Sequence, residues 1–146
     1  MNTLTQPDLA LLAFARQAQE MAYAPYSCFR VGAAIYTDGD VVQGCNVENS
    51  AYGTTLCAER SAAAQAVLKG YKDFDAIAIV GDSQDPLVPC GNCLQFLSEF
   101  NPSMRIIMGA RGDVVRVATL DELLPEAFAR GYLDQEKDVD KDCEDE

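Results

Sequence analysis

A chain of 146 residues, 49% of them hydrophobic, is the size of one domain and can bury a core of its own without staples. A formal net charge of -12 argues against a nucleic-acid backbone as partner, because phosphates reward clustered Lys and Arg. The absence of histidine removes every mechanism that needs an imidazole, so a metal site must draw on Cys, Asp or Glu.

Charged or turn residues interrupt every apolar run, so no segment reads as a membrane span and a soluble protein is expected. Met1 to Pro7 carries no basic stretch followed by an apolar one, which points to the cytoplasm. Cysteines there bind metal or stay reduced.

Thr5-Gln6-Pro7-Asp8, followed by Leu9, Leu12, Ala13 and Gln17, predicts a capped amphipathic helix running to about Tyr23, with Pro25 as its stop. Two β-type runs follow, residues 29–36 and 41–45, and Asp38-Gly39 between them is a hairpin signal. Residues 56–68 turn Ala-rich and helix-forming, with Gly70 placed for a left-handed cap. Ala76-Ile77-Ala78-Ile79-Val80 reads as a fully buried strand of the central parallel kind. A helix over 90–100 ends at Asn101-Pro102, and strands are expected at 104–108 and 114–118. Thr119-Leu120-Asp121-Glu122 carries a capping-box signature for a short last helix around Leu123 and Leu124. This alternation predicts an α/β fold, with helices on both faces of a mixed, mostly five-stranded sheet.

Residues 134–146 hold eight acids and two lysines, and Val139 is their only aliphatic side chain. Such a segment buries too little to offset its ordering entropy. The expectation is one domain over 1–133 and an acidic, disordered tail over 134–146.

Chemistry concentrates in two segments. Cys57-Ala58-Glu59 stands at one predicted helix start and Pro89-Cys90-Gly91-Asn92-Cys93 at another. The unpaired N–H groups and dipole of a helix start favour the thiolate, the form that binds metal. Cys90 and Cys93, three apart, share one side of a helical turn. Three thiolates on one zinc ion per subunit leave the fourth tetrahedral position open, as catalytic sites do. Arg60 is placed to hydrogen-bond a ligand sulfur, and Glu59, not needed as a ligand, is free to handle protons. The plainer alternatives are buried thiols, or a closed four-sulfur structural site completed by Cys45 or Cys28. Cys28, Cys45 and Cys143 are otherwise read as packed or idle.

With these motifs in order, the chain resembles the cytidine deaminase family from Ala22 to Phe128, in its three-cysteine nucleoside branch. The resemblance implies the family's three-layer α/β/α fold, with Cys57, Cys90 and Cys93 holding zinc and Glu59 as proton shuttle. Tyr23 to Ala34 is similar to the family's approach to the first strand, which implies that Phe29 stacks on the base. Asn46-Val47-Glu48-Asn49 and Tyr52-Gly53 resemble its sugar-binding segment, so Asn46 and Glu48 are implied to hold ribose hydroxyls, with Tyr52 and Ala58 also at the substrate. Leu123 to Phe128 is similar to a late segment whose Phe reaches a neighbouring subunit, so Phe128 implies a homotetramer with shared sites. The implied activity is hydrolytic deamination of cytidine, 2′-deoxycytidine or both, in pyrimidine salvage. Departures are Leu94 where the family has Arg, Arg30 for a usual Pro and Cys28 for a usual Lys.

Three rivals remain. A deaminase of the blasticidin S kind shares the zinc motifs without the sugar-binding segment. A non-catalytic zinc-stabilised module has no use for Glu59. Polynucleotide deamination is disfavoured by the charge.

Overall fold

The structure, a computed structural model, describes residues 2–134; of the tail expected over 134–146, Asp134 ends a helix and the rest, with Cys143, lies outside the described residues. Five strands form one sheet: β1 (Val31–Thr37), β2 (Asp40–Cys45), β3 (Ala76–Gly81), β4 (Arg105–Gly109) and β5 (Val115–Thr119), in the order β2-β1-β3-β4-β5. Only β3 and β4 run parallel, and the other neighbours are antiparallel. The sheet is therefore mixed, as the sequence implies, but β3 is parallel on one side only.

Successive strand residues point to opposite faces, and both faces are covered. On one face α1 (Gln6–Gln19) sets Leu11, Leu12 and Ala15 against Ala34, Ala78, Val80, Ile107 and Val117. On the other, α2 (Ala58–Leu68) and α3 (Gly91–Ser98) bring Ala62, Ala66, Leu94 and Leu97 onto Ala33, Ile35, Ile77, Ile79, Ile106 and Met108. Burial on both faces explains why residues 76–80 carry no polar alternation. Leu94, a departure from the resembled pattern, is 4% exposed and belongs to this core.

Two glycines let helices approach the sheet closely. A Cβ on Gly32 would lie 2.0 Å from the Ala15 carbonyl oxygen of α1, and one on Gly44 would lie 2.4 Å from the Ala62 nitrogen of α2. The second contact seats the N-terminal half of α2 on β2.

Turn chemistry follows the sequence at several points. Asp38 and Gly39 both have positive φ, as a two-residue type I′ hairpin requires. Gly70 (φ +92°) closes a Schellman motif on α2, with Tyr71 N–H donating to the Ala66 carbonyl and Gly70 N–H to that of Val67. Other expectations need correction. The first helix stops at Gln19 rather than near Tyr23, because Tyr23 N–H donates to the Asn46 carbonyl and the Tyr23 carbonyl accepts from Glu48 N–H. Strand β1 begins at Val31 rather than Phe29, because the Asn46 side chain occupies the groups a strand partner would take. Thr119 caps α4 (Leu120–Leu123) without a capping box; its hydroxyl binds the Asp121 and Glu122 carboxylates instead. A 3-10 turn (Tyr52–Thr54) and α5 (Arg130–Asp134) were not anticipated.

The cap of α1 is also a link across the domain. Thr5 and Asp8 form the predicted capping box, and Asp8 accepts a bidentate pair from Arg105 of β4, Nε to Oδ1 at 2.9 Å and Nη2 to Oδ2 at 2.7 Å. The Asp8 side chain is 6% exposed and that of Arg105 28%. The Arg105 hydrogen bonds hold the Asp8 carboxyl below its usual range. A depressed folded-state pKa contributes stability above the unfolded value near 3.8 and loses it as pH falls through the folded one. Asp8→Asn is expected to lower unfolding stability by about 1.5–3 kcal/mol at pH 7, the range for hydrogen bonds to charged groups. In urea titrations the gap from wild type should shrink by pH 3, and an equal gap at both pH values contradicts this role.

Candidate metal centre and active site

Two helix starts meet on one face of the sheet. Cys57 is the N-cap of α2, Cys90 the N-cap of α3, and Cys93 lies in the first turn of α3. Their sulfur atoms all lie within 4.8 Å of one another, and those of Cys90 and Cys93 are 3.4 Å apart. No side chain caps either helix through a hydrogen bond, so the first-turn N–H groups present their positive ends to the sulfurs.

Arg60 stands behind this cluster. Its Nη2 lies 3.5 Å from Cys57 Sγ and donates to the Thr55 carbonyl oxygen at 3.4 Å, while its buried Nε has no partner among the described residues. The Cys57 thiol is pulled down to about 5, first by hydrogen bonding with Cys93 and then by Arg60. Cys93 is pushed far up, first by that same interaction with Cys57 and then by its burial. One thiolate thus discourages its neighbour: three close sulfurs ionise together only around a cation. Soft donors, near-contact spacing and a guanidinium to share the negative charge all fit zinc.

Glu59 is 4% exposed, and burial raises its carboxyl above the usual range. With Cys57, Ala58 and Cys90 it lines a cleft of about 220 Å³, whose other walls include Phe29, Asn46, Thr55 and Val88. Cys93 is fully buried at the adjacent helix turn. Glu48 and Tyr52 line a second hollow with Tyr26 and Ser27, and Thr55 borders both. Glu48 accepts from the Tyr26 and Ser27 N–H groups at 3.0 Å and from the Ser27 hydroxyl, which depresses its pKa. The Asn46 amide bonds backbone on both sides: Oδ1 accepts from Val31 N–H at 2.8 Å and Nδ2 donates to the Phe29 carbonyl at 2.9 Å.

The structure therefore gathers Phe29, Asn46, Cys57, Ala58, Glu59, Cys90 and Cys93 in one place, with Glu48 and Tyr52 next door. Phe128 is not among the cleft-lining residues; it is 59% exposed, stacks on Tyr132 and has its carbonyl held by Gln95 of α3. Cys45 and Cys28 do not complete a fourth sulfur corner among the described residues. Cys45 ends β2, half-buried, while Cys28 is exposed at φ +56° and so is not packed. Thr55, Leu87 and Val88 line the cleft unanticipated. Only Pro89, beside Cys90, hinted that the preceding loop forms a wall.

The model of the cytidine and deoxycytidylate deaminase zinc-binding region matches residues 5–110. The chain belongs to this deaminase family. A cytidine deaminase of Sporosarcina psychrophila is 46% identical over 126 residues, covering 84% of this chain and 92% of the relative. A crystal structure of cytidine deaminase from Burkholderia pseudomallei matches with a TM-score of 0.81 at 46% identity, covering 86% of this chain and 100% of that one. A blasticidin-S deaminase of Bacillus cereus is 32% identical over 136 residues, covering 87% of this chain and 96% of the relative. The zinc-binding character of the deaminase family agrees with the clustered thiols.

Purified protein is expected to carry about one zinc per chain by metal analysis, and Cys90→Ala to lose it. Arg60→Gln, which keeps the bulk but not the charge, should weaken zinc binding by about 10- to 100-fold in a competition titration. Unchanged affinity in the Gln variant would remove Arg60 from the metal's support.

Proposed function

We propose that the protein is a zinc-dependent cytidine deaminase, hydrolysing the exocyclic amine of cytidine, 2′-deoxycytidine or both to give uridine or deoxyuridine and ammonia. The observation that carries the reading is Glu59: a buried carboxylate lines the cleft beside three metal-competent thiols. A purely structural zinc site has no use for it. In this reading Cys57, Cys90 and Cys93 hold the ion, which when bound supplies a Lewis acid and makes water a better nucleophile at neutral pH.

The remaining chemistry belongs to side chains. Glu59 takes a proton from the attacking water and delivers it to the ring nitrogen beside the amino-bearing carbon, while the water oxygen adds to that carbon. The same carboxylate then takes the proton of the newly added hydroxyl and carries it to the amino group; the carbon–nitrogen bond breaks as the carbonyl forms, and ammonia leaves. Burial, which raises the proton affinity of Glu59, suits a group that must accept and return protons. Phe29 stacks on the pyrimidine, and the start of α2 at Ala58 offers backbone N–H to its polar edge. Glu48 and Tyr52 in the adjoining hollow, with Asn46 in the cleft itself, receive the ribose; Asn46 keeps one N–H and one lone pair for a hydroxyl.

Assembly and setting extend the same reading. Phe128 and Tyr132, exposed and stacked, suit a surface that completes a neighbour's site in a homotetramer. Three adjacent reduced thiols suit the cytoplasm, where pyrimidine salvage operates. No described helix is long and apolar enough to cross a membrane. The likeness to a blasticidin-S deaminase makes that antibiotic the second substrate to try. The hollow at Glu48 and Tyr52 favours a ribonucleoside over it.

Glu59→Gln is expected to cut cytidine turnover by at least about three orders of magnitude, since two proton transfers depend on it, while zinc content and oligomer size stay at wild-type values. Retention of more than a few per cent of turnover would move the proton chemistry to another carboxylate, Glu48 first. Free cytosine should be a far poorer substrate than cytidine, because the sugar-binding groups would be left unpaired. Equal turnover of the two, measured by ultraviolet absorbance, would deny the sugar contacts. Light scattering is expected to give a tetramer, and Phe128→Ala to lower activity with zinc retained.

A further inference from the structure

Resting on that reading, we infer that Asn46 and Asp82 are positioning residues that hold the Phe29 ring in place over the pyrimidine site. Phe29 precedes the first strand and has no strand partner, yet three consecutive residues there are fixed by side chains from other elements. From the β2 side, the Asn46 amide accepts from Val31 N–H at 2.8 Å and donates to the Phe29 carbonyl at 2.9 Å, while Asn46 N–H donates to the Val31 carbonyl at 3.2 Å. A single asparagine thereby imitates the ladder that a neighbouring strand would supply.

The opposite edge of the segment is held from the end of β3. Asp82 Oδ2 accepts from Arg30 N–H at 2.9 Å, and the Arg30 Nε lies 3.8 Å from the same oxygen. Gln19 at the end of α1 donates through Nε2 to the Arg30 carbonyl at 3.1 Å and to Asp82 Oδ1 at 3.2 Å. Arg30 stands next to Phe29, so its N–H and carbonyl are tied from one side while the bonds to Phe29 and Val31 come from the other. Beneath the ring, Gly81 leaves the room it needs: a Cβ there would lie 2.9 Å from Phe29 Cε1 and 2.7 Å from Leu87 Cδ2. Asn46 is 8% exposed, so its bonds are sheltered from competing water, whereas the bonds to Arg30 lie nearer the surface, with the Asp82 side chain 22% exposed.

The brace acts on the base and not on the sugar, which separates it from any hydroxyl contact that Asn46 also makes. Stacking binds ground state and transition state alike, so loosening it raises KM with kcat nearly constant. The discriminating substrate is a cytidine analogue without 2′- and 3′-hydroxyls. Asn46→Ala is expected to raise KM roughly two- to tenfold for this analogue as well as for cytidine, the range that an aromatic contact covers. Asp82→Ala should act in the same direction with zinc content unchanged. In a Phe29→Ala background, Asn46→Ala should add less than about twofold to the KM for the hydroxyl-free analogue, since there the two act through one ring. Amide hydrogen exchange of residues 29–31 should quicken in both single variants, with α2 unaffected.

A KM effect confined to the hydroxyl-bearing substrate, or full additivity with Phe29→Ala on the hydroxyl-free analogue, overturns the inference. Should Asn46→Ala fail to fold, Asp82→Ala carries the same comparison. If zinc-loaded wild-type protein leaves cytidine untouched, it is the deaminase reading that fails. Unchanged exchange at residues 29–31 in Asp82→Ala refutes the brace whatever the substrate.

Discussion

Everything in this molecule depends on bringing three sulfurs from two helices within 4.8 Å of one another. Neither helix achieves this alone: α3 supplies a pair one turn apart, and α2 must bring Cys57 to them. The approach of α2 is set by Gly44, where any side chain would collide with the helix backbone, and by an Ala-rich face that lets the helix lie low on the sheet. Once the sulfurs are assembled, electrostatics takes over. Cys57 is acidified beside Cys93 and Arg60 while Cys93 resists ionisation, an imbalance that a divalent cation removes.

The polar residues around the cluster divide their work between shape and chemistry. Asn46 and Asp82 tie down the segment before β1 that carries Phe29, and Glu48 ties down the Tyr26-Ser27 turn beside it. Among the described residues Glu59 is the one buried carboxylate that lines the cleft, and burial raises its proton affinity even though the Arg60 charge nearby opposes this. A site that must move protons and also recognise a neutral nucleoside needs both kinds of residue. The second kind outnumber the first.

How much of this was legible in the sequence depended on whether the cause was local. The cap at Thr5, the I′ turn at Asp38-Gly39 and the Schellman end at Gly70 are encoded within a few residues, and each formed as read. The metal cluster was legible because ligand spacing and helix starts are local as well. Errors came where distant groups competed for the backbone: Tyr23 left its helix to pair across to Asn46 and Glu48, and Phe29 lost strand status to an asparagine side chain. Thr119 had the right neighbours for a capping box, yet its hydroxyl found carboxylates nearer than backbone N–H. Leu87 and Val88 became cleft walls through the crossing of the loop before α3, which no short pattern announces. The role of Asp82 was hidden for the same reason, since its partners Arg30 and Gln19 lie more than fifty residues away.

The central claim is that a zinc ion held by Cys57, Cys90 and Cys93 makes this chain a cytidine deaminase. Its most direct test strips metal from purified protein with a chelator and follows cytidine by ultraviolet absorbance before stripping, after it, and after zinc is restored. Conversion to uridine should fall with the zinc content and return as one equivalent per chain is replaced. Undiminished conversion by folded, metal-free protein, or none by protein carrying one zinc per chain, would contradict it.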